Sequence, residues 1–226
     1  LDGMTVPARD ASAPFEGRAM GSPLRLTLGR GASSTAATDG VAAATGDAGP
    51  GIWAAVVASI ETSEQAMSRF RETSELTALN RLAGSDVVSR PSPRLRSALA
   101  AADRAHRITD GRFDPRVLVD LDRLGYRGAE LPPGPAPATE HRVVDRVGRD
   151  GVSIARPVDL GGIGKGLALR WAAAELERDG VADFLLEAGG DLVARGLDPT
   201  GEPWLIGMED PTEATDHLAV IAVMDG

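Results

Sequence analysis

The most informative stretch of the sequence is Asp159-Leu-Gly-Gly-Ile-Gly-Lys-Gly166, which continues directly into Leu-Ala-Leu-Arg-Trp-Ala-Ala-Ala-Glu-Leu-Glu-Arg178. The second part is rich in strong helix formers and stops at Asp179-Gly180, so it predicts a helix. Glycines at positions 161, 162, 164 and 166 allow positive φ and a close approach of the backbone to a ligand. We therefore expect a strand, a glycine turn and a helix whose first amides can cradle a phosphate.

Two well-known phosphate-binding patterns do not fit this stretch. A P-loop would need Gly at position 159 and Ser or Thr at position 166, where this chain has Asp159 and Gly166. The dinucleotide-binding fingerprint fails because the glycines lack its spacing. A glycine turn that only lets a helix pack on a sheet stays open as an alternative. Lys165 favours an anion instead, because it is the one lysine among 24 basic residues and lies at the predicted helix start.

Composition excludes several classes of protein. The chain has 226 residues and is 42% hydrophobic, which is enough for a packed core in one domain or two small ones. Its net charge of −9 opposes non-specific binding to nucleic acid or anionic lipid. The lack of cysteine excludes thiolate metal sites and cysteine nucleophiles. We expect no transmembrane segment and a cytoplasmic location, with export and removal of a signal as the alternative.

The N-terminal third combines two regular patterns with one featureless stretch. The run Leu24-Arg-Leu-Thr-Leu28 alternates with the period of a half-buried strand, which we place at about 23–29. Residues 31–51 are small and carry no apolar face, so we predict a flexible low-complexity loop there. A helix ending near Phe70 follows, and its predicted core-facing residues are Trp53, Val56, Val57, Ile60 and Met67.

The rest of the chain predicts further helices and strands. Ser92-Pro93 predicts the start of a helix over about 93–108. A proline-rich connector at 131–138 precedes the predicted hairpin strands 141–146 and 152–158. The later strands are 184–196, broken by a double glycine, 204–211 and 218–223. This order predicts an α+β fold, in which helices pack on layered antiparallel or mixed sheets, with residues 1–226 as a single domain.

Other polar residues have both a structural and a functional interpretation. Asp114 lies in Thr109-Asp-Gly-Arg-Phe-Asp-Pro115, and its carboxylate could bind a hydroxyl or amide edge of a ligand or serve only the turn. Ser74 is explained by capping a short helix. The three histidines have no metal or nucleophile spacing, so we expect solvated or core side chains: His106, His141 and His217. No residue is predicted to be catalytic.

Six segments in this order resemble the FAD:protein FMN transferases, the ApbE-like flavin transferase family, whose fold is related to the T-fold. The resemblance covers nearly the whole chain, and the segments that carry it are Ala19-Met-Gly-Ser22, Met67-Ser-Arg-Phe70 with Ser74 through Asn80, Thr109 through Pro115, Asp159 through Gly166, Glu187-Ala-Gly-Gly-Asp191 and Trp204 through Pro211.

The resemblance implies an enzyme that splits the FAD pyrophosphate and attaches FMN through a phosphoester to a Thr or Ser hydroxyl of an acceptor flavoprotein. AMP leaves, and Mg²⁺ is the implied cofactor. The backbone carbonyl of Gly162 falls where the family has one metal ligand. The implied FAD-binding residues are Met20, Phe70, Arg112, Phe113, Asp114, Asp159 and Lys165.

The resemblance also implies segments that residues 1–226 do not contain. The family continues with a Thr-Ser-Gly segment, a His-containing segment and an Asp-Ala-x-x-Thr motif that completes the metal site. We therefore expect either a fragment of a longer protein or a reduced family member. Two other functions stay open beside flavin transfer: an FAD pyrophosphatase that yields FMN and AMP, and a non-catalytic flavin-binding protein. The least favoured interpretation is an unrelated α+β protein.

Overall fold

The computed structural model describes residues 13–30, 48–126, 128, 143–147, 149–212 and 217–226. These residues belong to two compact units. Unit 1 consists of Leu1–Val57 and Leu169–Gly226, and unit 2 consists of Ala58–Ala168. Among the described residues, none of the helices is long and apolar enough to cross a membrane. A single domain over residues 1–226 stays a prediction.

The described residues form mixed helices and strands in chain order. The elements are β1 (Phe15–Ala19), β2 (Ser22–Leu28), α1 (Gly49–Met67), α2 (Glu75–Asn80), α3 (Pro93–Ile108), a 3-10 turn (Pro115–Val117), α4 (Leu118–Arg123), β3 (Asp145–Val147), β4 (Gly151–Ser153), α5 (Gly161–Arg178), β5 (Phe184–Ala188), β6 (Asp191–Arg195), β7 (Trp204–Glu209) and β8 (His217–Val223).

The main sheet of unit 1 is antiparallel throughout and has the strand order β1-β2-β5-β6. Strand β2 confirms the predicted strand at about 23–29, because its alternation buries Leu24 and Leu26 and leaves Arg25 exposed. Leu26 lies opposite Leu186 of β5, which is also fully buried. The core of unit 1 therefore lies on one face of this sheet.

The predicted strand over 184–196 is two strands. Gly189 and Gly190 both have positive φ, +56° and +95°, and they turn the chain from β5 back into β6. A second hairpin in unit 1 pairs β7 with β8, which confirms the strands expected at 204–211 and 218–223. Trp204 anchors β7, since its indole Nε1 donates to the carbonyl of Arg195 at 2.9 Å.

Helix α1 begins earlier than predicted, at Gly49. The last part of the stretch expected to be a loop, residues 49–51, forms the first turn of this helix, where proline is well tolerated. The remainder of that stretch, 31–47, lies outside the described residues. Val56, Ile60 and Met67 are buried as predicted, but Val57 is 41% exposed because the buried face includes the small Ser63 instead.

Helices α2 and α3 of unit 2 begin where their capping residues predict. The Ser74 hydroxyl accepts from the Thr77 amide at the start of α2, and the Ser92 hydroxyl accepts from the Leu95 amide at the start of α3. The predicted helix 93–108 is confirmed. Strands β3 and β4 form the predicted hairpin with shorter strands, whereas the connector at 131–138 lies outside the described residues. Helix α4 was not predicted.

The stretch at 159–178 is helical from Gly161 onward, so the prediction of a glycine turn is wrong. None of the four glycines from position 161 to position 166 has positive φ. The first turn closes because the Leu160 carbonyl accepts from the amides of Ile163 and Gly164 at 3.0 and 2.7 Å. No strand immediately precedes this helix, since β4 ends at Ser153. The predicted helix end is confirmed at Arg178, with Gly180 at φ +85° just beyond it.

Candidate functional site

All but one of the sequence-predicted site residues lie in unit 2. Met20 belongs to unit 1, in the tight turn between β1 and β2, where its φ is +50°. The unit 2 residues come from three segments: the end of α1, the turn that follows α3, and the start of α5. They are Phe70, Arg112, Phe113, Asp114, Asp159, Gly162 and Lys165.

The Asp114 carboxylate is bound by Arg116. Its Oδ1 accepts from the backbone amide and Nε of Arg116, both at 2.9 Å, and its Oδ2 accepts from Nη2 at 2.7 Å. These side-chain hydrogen bonds, more than any other cause, hold the pKa of Asp114 below its ordinary value. Asp114 thereby caps the 3-10 turn and neutralises the Arg116 guanidinium. If Asp114 also binds FAD, its carboxylate must do so while it is hydrogen-bonded to Arg116.

His106 contacts the same segment through both ring nitrogens, a role that the sequence did not predict. Its Nδ1 lies 2.9 Å from the Phe113 carbonyl oxygen, and its Nε2 lies 3.2 Å from Nη2 of Arg116. Because the guanidinium can only donate, Nε2 accepts and the tautomer that satisfies both contacts carries its hydrogen on Nδ1. No spacing rule would have found this contact, since it depends on the turn after α3. His141 lies outside the described residues.

The ring of Phe113 lies against the first turn of α5. A Cβ added to Gly162 would be 3.1 Å from Cε2 of this ring, which is closer than side chains normally pack. Thr109 fixes the backbone, because its hydroxyl accepts from the Phe113 amide at 3.0 Å. The left-handed Asp110 and Gly111, with φ of +50° and +76°, complete the predicted turn. Glycine at position 162 therefore permits the ring to contact the helix start.

Asp159 links the helix start to the segment that carries Phe113. Its Oδ1 accepts from the Gly161 amide at 2.8 Å, an Asx turn just before α5, and its own amide donates to the Pro115 carbonyl at 2.6 Å. Its Oδ2 lies 3.4 Å from Nε of Arg69, and only 13% of the Asp159 side chain is exposed. A nearly buried carboxylate in this place is thus paired and hydrogen-bonded.

Phe70 presents an open aromatic face. Its side chain is 66% exposed, which is unusual for a phenylalanine, and the Arg69 guanidinium carbon lies 4.2 Å from the ring centroid. Arg112 is also exposed, and Lys165 is half-buried in the second turn of α5. Two aromatic rings, two cations and a helix start therefore belong to three connected segments of unit 2. This combination suits a ligand with planar rings and phosphate groups.

The residues for metal binding are less complete. No group of three or more His, Asp or Glu side chains within the described ranges could hold a metal ion. Gly162 offers one carbonyl, but it lies in the first turn of α5, where carbonyls normally accept helical amides. Mg²⁺ prefers octahedral oxygen ligation that includes carboxylates. The described residues therefore do not fit a Mg²⁺ site by themselves.

Comparison with known proteins identifies relatives along almost the whole chain. The sequence model of the ApbE family matches residues 20–226. The FAD:protein FMN transferase of Haemophilus influenzae is 30% identical over 173 residues, which cover 70% of this chain and 50% of that protein. The protein of the same name in Klebsiella pneumoniae is 26% identical over 246 aligned positions, which cover 100% of this chain and 65% of that protein. The chain thus spans between half and two thirds of the length of these relatives.

Solved structures share the fold. The apbe protein of Thermotoga maritima has a TM-score of 0.73 at 23% identity, over 95% of this chain and 68% of that chain. The flavin transferase ApbE of Vibrio cholerae has a TM-score of 0.71 at 23% identity, over 94% of this chain and 69% of that chain. The predicted α+β fold of the ApbE type is therefore confirmed.

Proposed function

This chain belongs to the ApbE family, and we propose that it transfers the FMN moiety of FAD to a Thr or Ser hydroxyl of an acceptor flavoprotein. The observation that carries the proposal is the family match over residues 20–226, which includes every residue predicted to contact FAD. Relatives that bear the name FAD:protein FMN transferase support the same activity. FAD is thus a substrate, and a flavoprotein is the partner.

The contacts of the candidate site support a role in holding FAD. Phe70 and Phe113 offer aromatic faces to planar rings, and Arg112 and Lys165 bring positive charge for the pyrophosphate. Glycine at position 162 keeps the Phe113 ring against the helix start. Met20, which belongs to unit 1, stays a sequence-based prediction. In an acidic chain, local cations are needed to bind an anionic substrate.

The proposed reaction exchanges the phosphoanhydride bond within the FAD pyrophosphate for a phosphoester bond to the acceptor. The acceptor hydroxyl oxygen bonds to the FMN phosphorus, the bond from that phosphorus to the bridging oxygen breaks, and AMP leaves with that oxygen. The hydroxyl proton is released, and no residue of the described chain is assigned as its base. Mg²⁺ dependence is part of the proposal, because a divalent cation neutralises pyrophosphate charge. No step is assigned to the metal, since the described residues do not form its site.

A second function is FAD binding without turnover, which the aromatic and cationic residues of the candidate site would also support. To separate the two, this chain and the longest product of its gene are incubated with FAD and a flavoprotein domain that carries a Thr or Ser acceptor. Each reaction is run with Mg²⁺ and with EDTA. AMP is quantified by chromatography, and covalent flavin on the acceptor is quantified by intact mass spectrometry.

Transfer predicts equal amounts of AMP and flavinylated acceptor, and only in the presence of Mg²⁺. AMP with free FMN and an unmodified acceptor would identify a pyrophosphatase instead. FAD binding with no AMP from either protein would identify a flavin-binding protein and contradict the transferase. An acceptor with its Thr or Ser changed to Ala is the matched control for the attachment site.

A further inference from the structure

Arg69 is a buried cation to which the proposed reaction assigns no role. Its side chain is 9% exposed, although arginine is normally a surface residue. It lies between two residues predicted to bind FAD, because it pairs with Asp159 and stacks on Phe70. Burial of a guanidinium costs desolvation free energy, which its interaction partners must offset. The partners of Arg69 therefore indicate its role.

The first partner is the Asp159 carboxylate, whose two oxygens have different tasks. Oδ2 lies 3.4 Å from Nε of Arg69, and Oδ1 accepts from the Gly161 amide at the start of α5. The Asp159 side chain is 13% exposed with Arg69 in place, and it would lose its paired cation if Arg69 were removed. Because a buried unpaired charge is strongly unfavourable, it would turn toward water and release the Gly161 amide.

The other end of the guanidinium is held firmly in place. Nη1 donates to the Tyr126 carbonyl at 2.7 Å and lies 3.9 Å from Oδ1 of Asp122, the second carboxylate that faces it. Gly128 packs against the same residue, since an added Cβ would be 2.7 Å from the Arg69 carbonyl oxygen. A planar fork can satisfy Asp159 and Tyr126 at once, whereas the point charge of a lysine cannot span both.

The guanidinium carbon of Arg69 lies over the Phe70 ring, 4.2 Å from the ring centroid. Phe70 is otherwise 66% exposed and would be free to adopt other rotamers. The cation thus orders one face of the ring and leaves the other face open to a ligand.

We propose that Arg69 is a positioning residue of the FAD site, which acts through the Asp159 carboxylate and the Phe70 ring. It does not touch the reacting phosphorus. The inference rests on the proposed function for its ligand, and on the contacts above for its geometry.

The test uses the full chain and three variants: Arg69→Gln, Arg69→Lys and Arg94→Gln. Arg94 is the matched control, since it is also an arginine of unit 2 with buried partners, and donates to the Ser59 carbonyl at 2.9 Å and to the Ser63 hydroxyl. FAD affinity is measured by quenching of flavin fluorescence. Independently of FAD, the Gly161 amide is followed by NMR chemical shift and hydrogen exchange. Urea unfolding reports the stability of each variant.

Arg69→Gln is expected to raise the Kd for FAD about tenfold or more and to speed exchange of the Gly161 amide. Arg69→Lys should lie between Arg69→Gln and the unchanged chain. Arg94→Gln should lower stability while its Kd for FAD stays within about twofold of the unchanged chain. An equal loss of FAD affinity in Arg69→Gln and Arg94→Gln, or an unchanged Gly161 amide in Arg69→Gln, would overturn the proposal.

If the unchanged chain does not bind FAD, the proposed function fails for this chain. In that case the chemical shift and hydrogen exchange of the Gly161 amide still test whether Arg69 holds the Asp159 carboxylate in place. A selective effect of Arg69→Gln would support Arg69 as the residue that holds Asp159, and no effect would overturn it.

Discussion

The chain contains two glycine pairs that look alike in sequence and differ in structure. Gly161-Gly162 opens helix α5 in unit 2 with ordinary helical φ, whereas Gly189-Gly190 turns β5 into β6 in unit 1 with φ of +56° and +95°. A Cβ at position 190 would meet nothing within 4 Å, but one at position 162 would press on Phe113 and one at position 161 on Asp159. Gly189-Gly190 is needed for its backbone conformation, whereas Gly161-Gly162 is needed because neighbouring side chains leave no room for a Cβ.

This difference shows that a glycine pair by itself predicts neither a turn nor a helix. In the hairpin, the short connection between two antiparallel strands requires positive φ. In α5, the following run of helix formers extends backward through the glycines, and side chains from other segments occupy the space a Cβ would take. Substitutions at the two pairs should therefore fail for different reasons.

The largest expected effect is at Gly190. Gly190→Ala should lower the free energy of unfolding by about 1–3 kcal/mol, because alanine is strained at a φ of +95°. Gly190→Asn should lose less, since asparagine tolerates positive φ better. Urea denaturation of both variants measures the difference. Equal losses for Ala and Asn would contradict the argument that the positive φ at position 190 requires glycine.

The next effect distinguishes two glycines of the same helix. Gly166 has open space where a Cβ would lie, so Gly166→Ala should raise the free energy of unfolding by up to about 1 kcal/mol through helix propensity. Gly162→Ala brings the same gain, but its Cβ would be 3.1 Å from Cε2 of Phe113, so the ring must move. In Gly162→Ala, displacement of the Phe113 ring should cancel the stability gained from helix propensity. FAD affinity should fall several-fold in Gly162→Ala and stay unchanged in Gly166→Ala.

Urea unfolding and fluorescence titration with FAD test this pair, and each variant is the control for the other. Stabilisation of both variants with unchanged FAD affinity would contradict the argument that Phe113 requires glycine at position 162.

The smallest effect concerns Asp114, the residue after Phe113. Arg116 lowers the pKa of Asp114 in the folded state below the ordinary 3.8, so the ionised carboxylate stabilises the fold above pH 3.8. This contribution is lost as the pH falls below 3.8 and through the lowered folded-state pKa. Asp114→Asn lacks it, and asparagine can still cap the 3-10 turn.

The difference in unfolding free energy between the unchanged chain and Asp114→Asn should therefore be about 1 kcal/mol or less at pH 6 and should shrink toward pH 3. Urea unfolding at both pH values measures it. A difference that is the same at pH 6 and pH 3 would mean that Arg116 does not favour the ionised form.

Prediction from sequence succeeded where the determining interactions are local. The Ser74 and Ser92 caps, the helix end at Arg178 and the alternation in β2 depend on residues only a few positions apart. The family was also identified from ordered segments. The prediction that Val57 of α1 faces the core was wrong. Apolar spacing places residues on one side of a helix but does not define the edges of the buried face.

The candidate site was predicted only in part. Phe113, Asp159 and Gly162 were named from their segments, but the contacts of Phe113 with Gly162 and of Asp159 with Pro115 join residues more than 40 positions apart. Arg69 and His106 were not singled out as site residues, although Arg69 lies within Met67-Ser-Arg-Phe70. Their partners come from distant turns or from the exact course of a loop. Long-range contacts of this kind leave no periodicity to recognise.

Propensity, periodicity and motif order act over short stretches, so the α+β class, the helix caps, most strands and the family could be predicted from the sequence. Long-range packing, by contrast, makes residues 161–166 helical and buries Arg69 between Asp159 and Phe70. The reason is physical. A glycine or an arginine has many local conformations of similar free energy, and packing against distant segments selects among them.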